Sequence, residues 1–114
     1  MNSRELRIGN YVRVDGNVVR VNGITQHKIG YCPKPCYEKY ARSREVEPVL
    51  LTEDIVSCIH IGTLSPSIYI HHDENGGNFV ADIFFGSENR TARYLHKLQN
   101  LYFELTEKEL EVIL

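Results

Sequence analysis

Apolar and polar positions begin to alternate early in the chain. In Leu6-Arg7-Ile8-Gly9-Asn10-Tyr11-Val12-Arg13-Val14, the alternation runs from Ile8, apart from the Gly9-Asn10 step. Val12 and Val14 face one side and Arg13 the other, the pattern of a half-buried strand. Asp15-Gly16 follows as a two-residue hairpin signal, because both central positions of a type I′ turn need positive φ. A second strand is expected over Val18-Val19-Arg20-Val21, ending near Gly23, and a third over residues 24–30. Three short strands punctuated by glycine predict a small curved sheet of the SH3-like, partial-barrel kind.

Residues 31–45 break the alternation. Tyr31-Cys32-Pro33-Lys34-Pro35-Cys36-Tyr37 holds two prolines, each of which would remove a ladder hydrogen bond from a central strand, so a surface loop is expected. Val49-Leu50-Leu51 reads as a short buried strand. Thr52 then serves as an N-cap, with Glu53 and Asp54 in the first turn, where the helix dipole favours carboxylates. A brief helix through Ile55, Val56, Cys58 and Ile59 should end by Gly62. Ile68 and Ile70 share one face of a strand over residues 67–72. The cluster Asp73-Glu74-Asn75-Gly76-Gly77 turns the chain, and residues 78–85 return as the partner strand. From Ala92 the period changes: Tyr94, Leu95, Leu98, Leu101, Tyr102 and Leu105 recur at three- and four-residue steps, marking an amphipathic helix. Leu110 to Leu114 can close as a last strand, while Thr106-x-x-Glu109 also fits a capping box. The fold class is α+β: a small antiparallel, SH3-like curved sheet with one short helix and one longer C-terminal amphipathic helix.

Length and charge narrow the class of protein. The 114 residues suit a single domain spanning 1–114. A formal net charge of −2, from 13 basic and 15 acidic residues, argues against a protein that coats duplex nucleic acid. No apolar run approaches the length of a membrane helix, and the N-terminal stretch lacks a signal-peptide core, so no membrane association is expected. Cys32, Cys36 and Cys58 cannot all pair within one chain, which fits a reducing, cytoplasmic setting.

Motifs for chemistry are sparse. Cys32-x-x-x-Cys36 has the spacing of half a zinc site, with His27, His60, His71 and His72 as completing ligands, but there is no second close pair, so no metal is expected. The chain has no G-x-S-x-G, H-E-x-x-H or P-loop and no nucleophile–base–orienter set, so no catalytic residue or cofactor is assigned. Asn75-Gly76-Gly77 lacks the strand-to-helix context of a phosphate loop and reads as a turn.

Aromatic and arginine residues form the stronger pattern. Tyr31, Tyr37 and Tyr40 lie close in sequence to Arg42 and Arg44, and Arg90 and Arg93 precede Tyr94. Tyrosine rings stack on bases and guanidinium forks match phosphate oxygens, so the expected ligand is a small anionic nucleotide. On the C-terminal helix, His96, Asn100 and Phe103 form a second row, with His96 and Asn100 placed to fix a ligand or a subunit interface. Self-association is expected, with a twofold dimer as the commonest form.

Several segments together resemble a known group. Leu6-Arg7-Ile8-Gly9-Asn10-Tyr11-Val12, Gly23-Ile24-Thr25, Val46-Glu47-Pro48-Val49-Leu50-Leu51-Thr52-Glu53 and above all Tyr94-Leu95-His96-Lys97-Leu98-Gln99-Asn100-Leu101-Tyr102-Phe103-Glu104-Leu105-Thr106 occur here in order. In this the chain is similar to a family of small proteins carried by phages, prophages and mobile elements of the Bacteroidetes, a family with no established catalytic residues. It departs from them in the loop with Cys32 and Cys36 and in the shortened region from Ser57 to Ser67. The resemblance implies a phage-type accessory protein inside a bacterial host cell. The leading expectation is non-catalytic binding that sequesters a nucleotide-derived immune signal. Two others stand beside it: an SH3-like module for a protein or nucleic-acid partner, and a nucleotide-cleaving enzyme whose histidines act as acid and base.

Overall fold

The computed structural model describes residues 1–34, 37–60, 67–74 and 77–114, with the side chains of all of these except Pro33, Lys34 and Tyr37. The chain forms two compact units, Met1–Val49 and Leu50–Leu114. Within the described residues it is an α+β fold of antiparallel sheets with one short and one longer helix.

In the first unit, a local lock precedes the sheet. Asn10 is fully buried, and its side-chain oxygen accepts the Arg7 N–H at 2.7 Å while its own N–H reaches the Arg7 carbonyl at 3.0 Å. Gly9 supplies the φ of +100° that this turn needs. Strands β1 (Tyr11–Val14) and β2 (Asn17–Ile24) then pair antiparallel, with Val12 opposite Val19 and Val14 opposite Asn17. Asp15 at φ +51° and Gly16 at +80° make the expected turn of positive φ. Strands β3 (Lys28–Lys34) and β4 (Tyr37–Arg42) extend the meander, and after a 3-10 turn at Ser43–Glu45 strand β5 (Val46–Glu47) returns to β1. The order β4-β3-β2-β1-β5 is the connectivity of an SH3-like sheet. One face buries Val12, Val14, Val21, Ile29, Tyr31, Ala41 and Val46, closed at one end by Leu6.

The described residues of the 31–45 segment differ from the loop that the sequence suggests, forming the end of β3, all of β4 and the 3-10 turn. Pro33 is tolerated because Tyr31 is the last β3 residue paired with β2, and the β3–β4 register shifts between Tyr31 and Lys34. A missing N–H costs no ladder bond on a side that has no partner strand. Pro35 and Cys36 lie outside the described residues.

In the second unit, helix α1 (Glu53–Ser57) starts as expected, with Thr52 Oγ1 accepting the Ile55 N–H at 3.4 Å. Strand β6 (Ile59–His60) later pairs with β10 (Glu111–Val112), so the C-terminal segment closes as a strand. Between them β7 (Ser67–His72), β8 (Phe79–Phe85) and β9 (Glu88–Ala92) form a three-stranded antiparallel sheet. Helix α2 (Leu95–Thr106) follows and buries Leu95 and Leu98 completely. It also buries His96 and Gln99, so its first two turns are enclosed over a wider arc than the leucine stripe alone. Leu50 forms a single bridge to Tyr94 rather than a strand.

Candidate functional site

The outer face of β2–β4 carries the first candidate site. Lys28 stands opposite Arg42, and Gly30 stands opposite both Gly23 and Tyr40. Paired residues point to the same side, and residues two apart on a strand share a face. Lys28, Arg42 and Tyr40 therefore project together, away from the core face of Ile29, Tyr31 and Ala41.

At the β2–β3 turn and the 3-10 turn, this face ends in a depression of about 330 Å³ lined by His27, Lys28, Arg42, Ser43 and Arg44. Ser43 is anchored there by its N–H, which donates to the His27 carbonyl at 2.9 Å. Glu45 is the nearest carboxylate in sequence, and its Oε1 accepts the Arg42 backbone N–H at 3.2 Å. Among the described residues, Lys28, Arg42 and Arg44 form no side-chain ion pair, and the buried Ser43 Oγ has no hydrogen-bond partner.

A second depression of the same unit, about 380 Å³, is lined by Asp15, Arg20, Tyr31 and Lys39 among others. It mixes charges of both signs, so it offers less to an anion. Tyr31 is 8% exposed and belongs to the core face, whereas Tyr40 is 61% exposed beside the cations. Tyr37 lies on β4, and its side chain is not among those described.

The second unit holds the other arginines of the expected site. Arg90, on β9, sits 3.4 Å from Glu88, and Arg93 is hydrogen-bonded to Asp73. His96 is 1% exposed, its ring 6.1 Å from that of Tyr94 and nearly parallel to it, and Asn100 lies one turn further along α2, half-buried. Neither Arg90 nor Arg93 presents an uncompensated charge.

A cluster not foreseen from sequence lies on the outer face of β7–β9. Tyr69, Asp82 and Thr91 share a register row. His71 Nε2 lies 2.6 Å from Asp82 Oδ2, and Thr91 Oγ1 donates to Asp82 Oδ1 at 3.0 Å. His71 Nδ1 is also 3.1 Å from the His72 carbonyl. Both ring nitrogens face acceptors, so only the imidazolium satisfies both. The hydrogen bond to Asp82, then that to the His72 carbonyl, holds the His71 imidazole above its ordinary range. The bond from His71, then that from Thr91, holds the Asp82 carboxyl below its own. Thr91 donates to the carboxylate and not to the histidine, so no base activates its hydroxyl, and the group acts as an ion pair. Register, rather than sequence spacing, brings these residues together.

Among the described residues, no group of three or more His, Cys, Asp or Glu converges as a metal site, and no helix is long and apolar enough to cross a membrane. Cys32 is exposed and Cys58 partly buried, while Cys36 lies outside the described residues. Compared with protein-family models, curated proteins and solved structures, the chain matches none.

Proposed function

We propose that the first unit binds a small, phosphate-bearing, nucleotide-type ligand and holds it without converting it. The observation that carries this reading is the depression lined by Lys28, Arg42 and Arg44, three cations without ion-pair partners among the described residues. Guanidinium groups match phosphate oxygens in paired geometry, and the ammonium adds a point charge. Tyr40 offers an exposed aromatic ring on the same side of the sheet. Sequestration of a nucleotide immune signal in a bacterial host, by a protein that self-associates, comes from the family resemblance and the sequence expectations and completes the proposal.

The test is to incubate the purified protein with a nucleotide panel, denature it and analyse what is released. Intact ligand in stoichiometric amount supports holding; converted product favours the nucleotide-cleaving reading. Absence of any thermal shift with every nucleotide overturns the proposal. Light scattering tests self-association separately, and a strict monomer at high concentration removes that part.

The SH3-like strand order favours a second reading, a module that docks a protein or nucleic-acid partner through the same sheet. Partner capture that is insensitive to Arg42→Glu and to competing nucleotide would favour it.

A further inference from the structure

Gly30 lies on the outer face of the middle one of three strands. It stands opposite Gly23 on β2 and Tyr40 on β4. A Cβ placed on Gly30 would lie 3.0 Å from Asn22 Oδ1, 3.3 Å from the edge of the Tyr40 ring and 3.6 Å from the Gly23 Cα. The absence of a side chain at Gly30 thus lets the Tyr40 ring settle against the sheet, with the Asn22 amide beside it.

Asn22 reaches this position because it is an extra residue. Val21 pairs with Tyr31 and Gly23 with Gly30, so Asn22 has no counterpart on β3 and forms a β-bulge. It is exposed, and its amide has no hydrogen-bond partner among the described residues. Tyr40 is covered on the sheet side and 61% exposed overall. Arg42 follows two residues along β4, about 7 Å away at strand rise. An aromatic platform, a side-chain amide and a phosphate-binding group therefore lie in sequence along one face.

We infer that Asn22 and Tyr40 recognise the base of the nucleotide: the base stacks on Tyr40, the Asn22 carboxamide pairs with its edge, and its phosphate enters the depression at Arg42. This rests on the proposed phosphate-binding function and adds the base to it. An amide offers one acceptor and one donor side by side, and every base has an edge that presents the complementary pair. Tyrosine is tolerant in the same way, because every base has a stacking face.

The experiment is titration calorimetry with AMP, CMP, ribose 5-phosphate and inorganic pyrophosphate, together with NMR of the Tyr40 ring protons. AMP and CMP should each bind about tenfold more tightly than ribose 5-phosphate. Both should also shift the Tyr40 ring protons upfield, as stacking requires. Asn22→Ala should weaken AMP and CMP several-fold, and an affinity unchanged by it removes Asn22 from the inference. Tyr40→Leu keeps an apolar cover over Gly30 but should lower AMP and CMP together to the level of ribose 5-phosphate. Equal binding of AMP, CMP and ribose 5-phosphate overturns the base inference and leaves phosphate binding standing. Failure of all four ligands to bind overturns both.

Discussion

The two larger antiparallel sheets present outer faces of similar residue types with opposite electrostatic outcomes. On β7–β9 and the segment that follows, His71 meets Asp82, Arg90 meets Glu88 and Arg93 meets Asp73. On β3, β4 and the 3-10 turn, Lys28, Arg42 and Arg44 converge with no such partner among the described residues. Arginine content alone therefore says little about ligand binding. What distinguishes the faces is whether the fold itself supplies the counter-charge. A paired arginine must break its existing bond before it can hold a phosphate, whereas an unpaired one in a depression has only water to displace.

Charge reversal tests this contrast most strongly. Arg42→Glu with Arg44→Glu should weaken nucleotide binding at least a hundredfold, since each charge-assisted bond is worth about 1.5–3 kcal/mol. Arg90→Glu with Arg93→Glu should leave the dissociation constant within about twofold, as expected of residues outside the binding depression. Calorimetry on both double variants decides it, and equal losses would erase the distinction.

Close packing gives the next effect. Gly30→Ala would force a Cβ to 3.0 Å from Asn22 Oδ1 and 3.3 Å from Tyr40. Urea denaturation should show a loss of about 1 kcal/mol. Nucleotide affinity should fall with it, because the aromatic platform is displaced.

Smaller still is Arg93→Ala. Its ion pair with Asp73 is solvent-exposed, and such pairs contribute about 0–1 kcal/mol, so the denaturation midpoint should barely move. The last prediction concerns titration rather than stability. The His71–Asp82 pair is intact between two limits: it is lost as pH falls through the lowered Asp82 value, and lost as pH rises through the raised His71 value. NMR titration should place the His71 transition above that of an ordinary histidine, and Asp82→Asn should bring it down. A wild-type transition at the ordinary value would mean that the pair does not hold in solution.

Much of the fold was legible because its signals are local. Asp15-Gly16, the Thr52 cap and the leucine spacing of α2 each depend on a few neighbouring residues. Strands β4 and β9 were not legible. Glu88-Asn89-Arg90-Thr91 offers no apolar alternation, because β9 lies at the sheet edge and four of its five residues are exposed. Hydrophobic period detects burial, and an edge strand facing solvent has little to detect. The candidate site divides in the same way. Arg42 and Arg44 were visible as a charged run beside tyrosines, but Lys28 joins them only through its pairing across strands with Arg42, and Asn22 only through the bulge in β2. Tyr31 and Tyr40 looked equivalent in sequence, and an odd spacing of nine residues across a hairpin cannot say which one the core will take.

The bulge at Asn22 has one more consequence, for how this sequence should be aligned with others. Val21 and Ile24 both turn toward the interior although three positions separate them, because Asn22 is supernumerary. A relative lacking that one residue would keep Val21, Gly23 and Ile24 in regular in-out-in phase and pair its strands without interruption. A single-residue gap there would be silent for the architecture. It would delete the amide proposed to read the base, so at this position an alignment gap would mark a change of ligand.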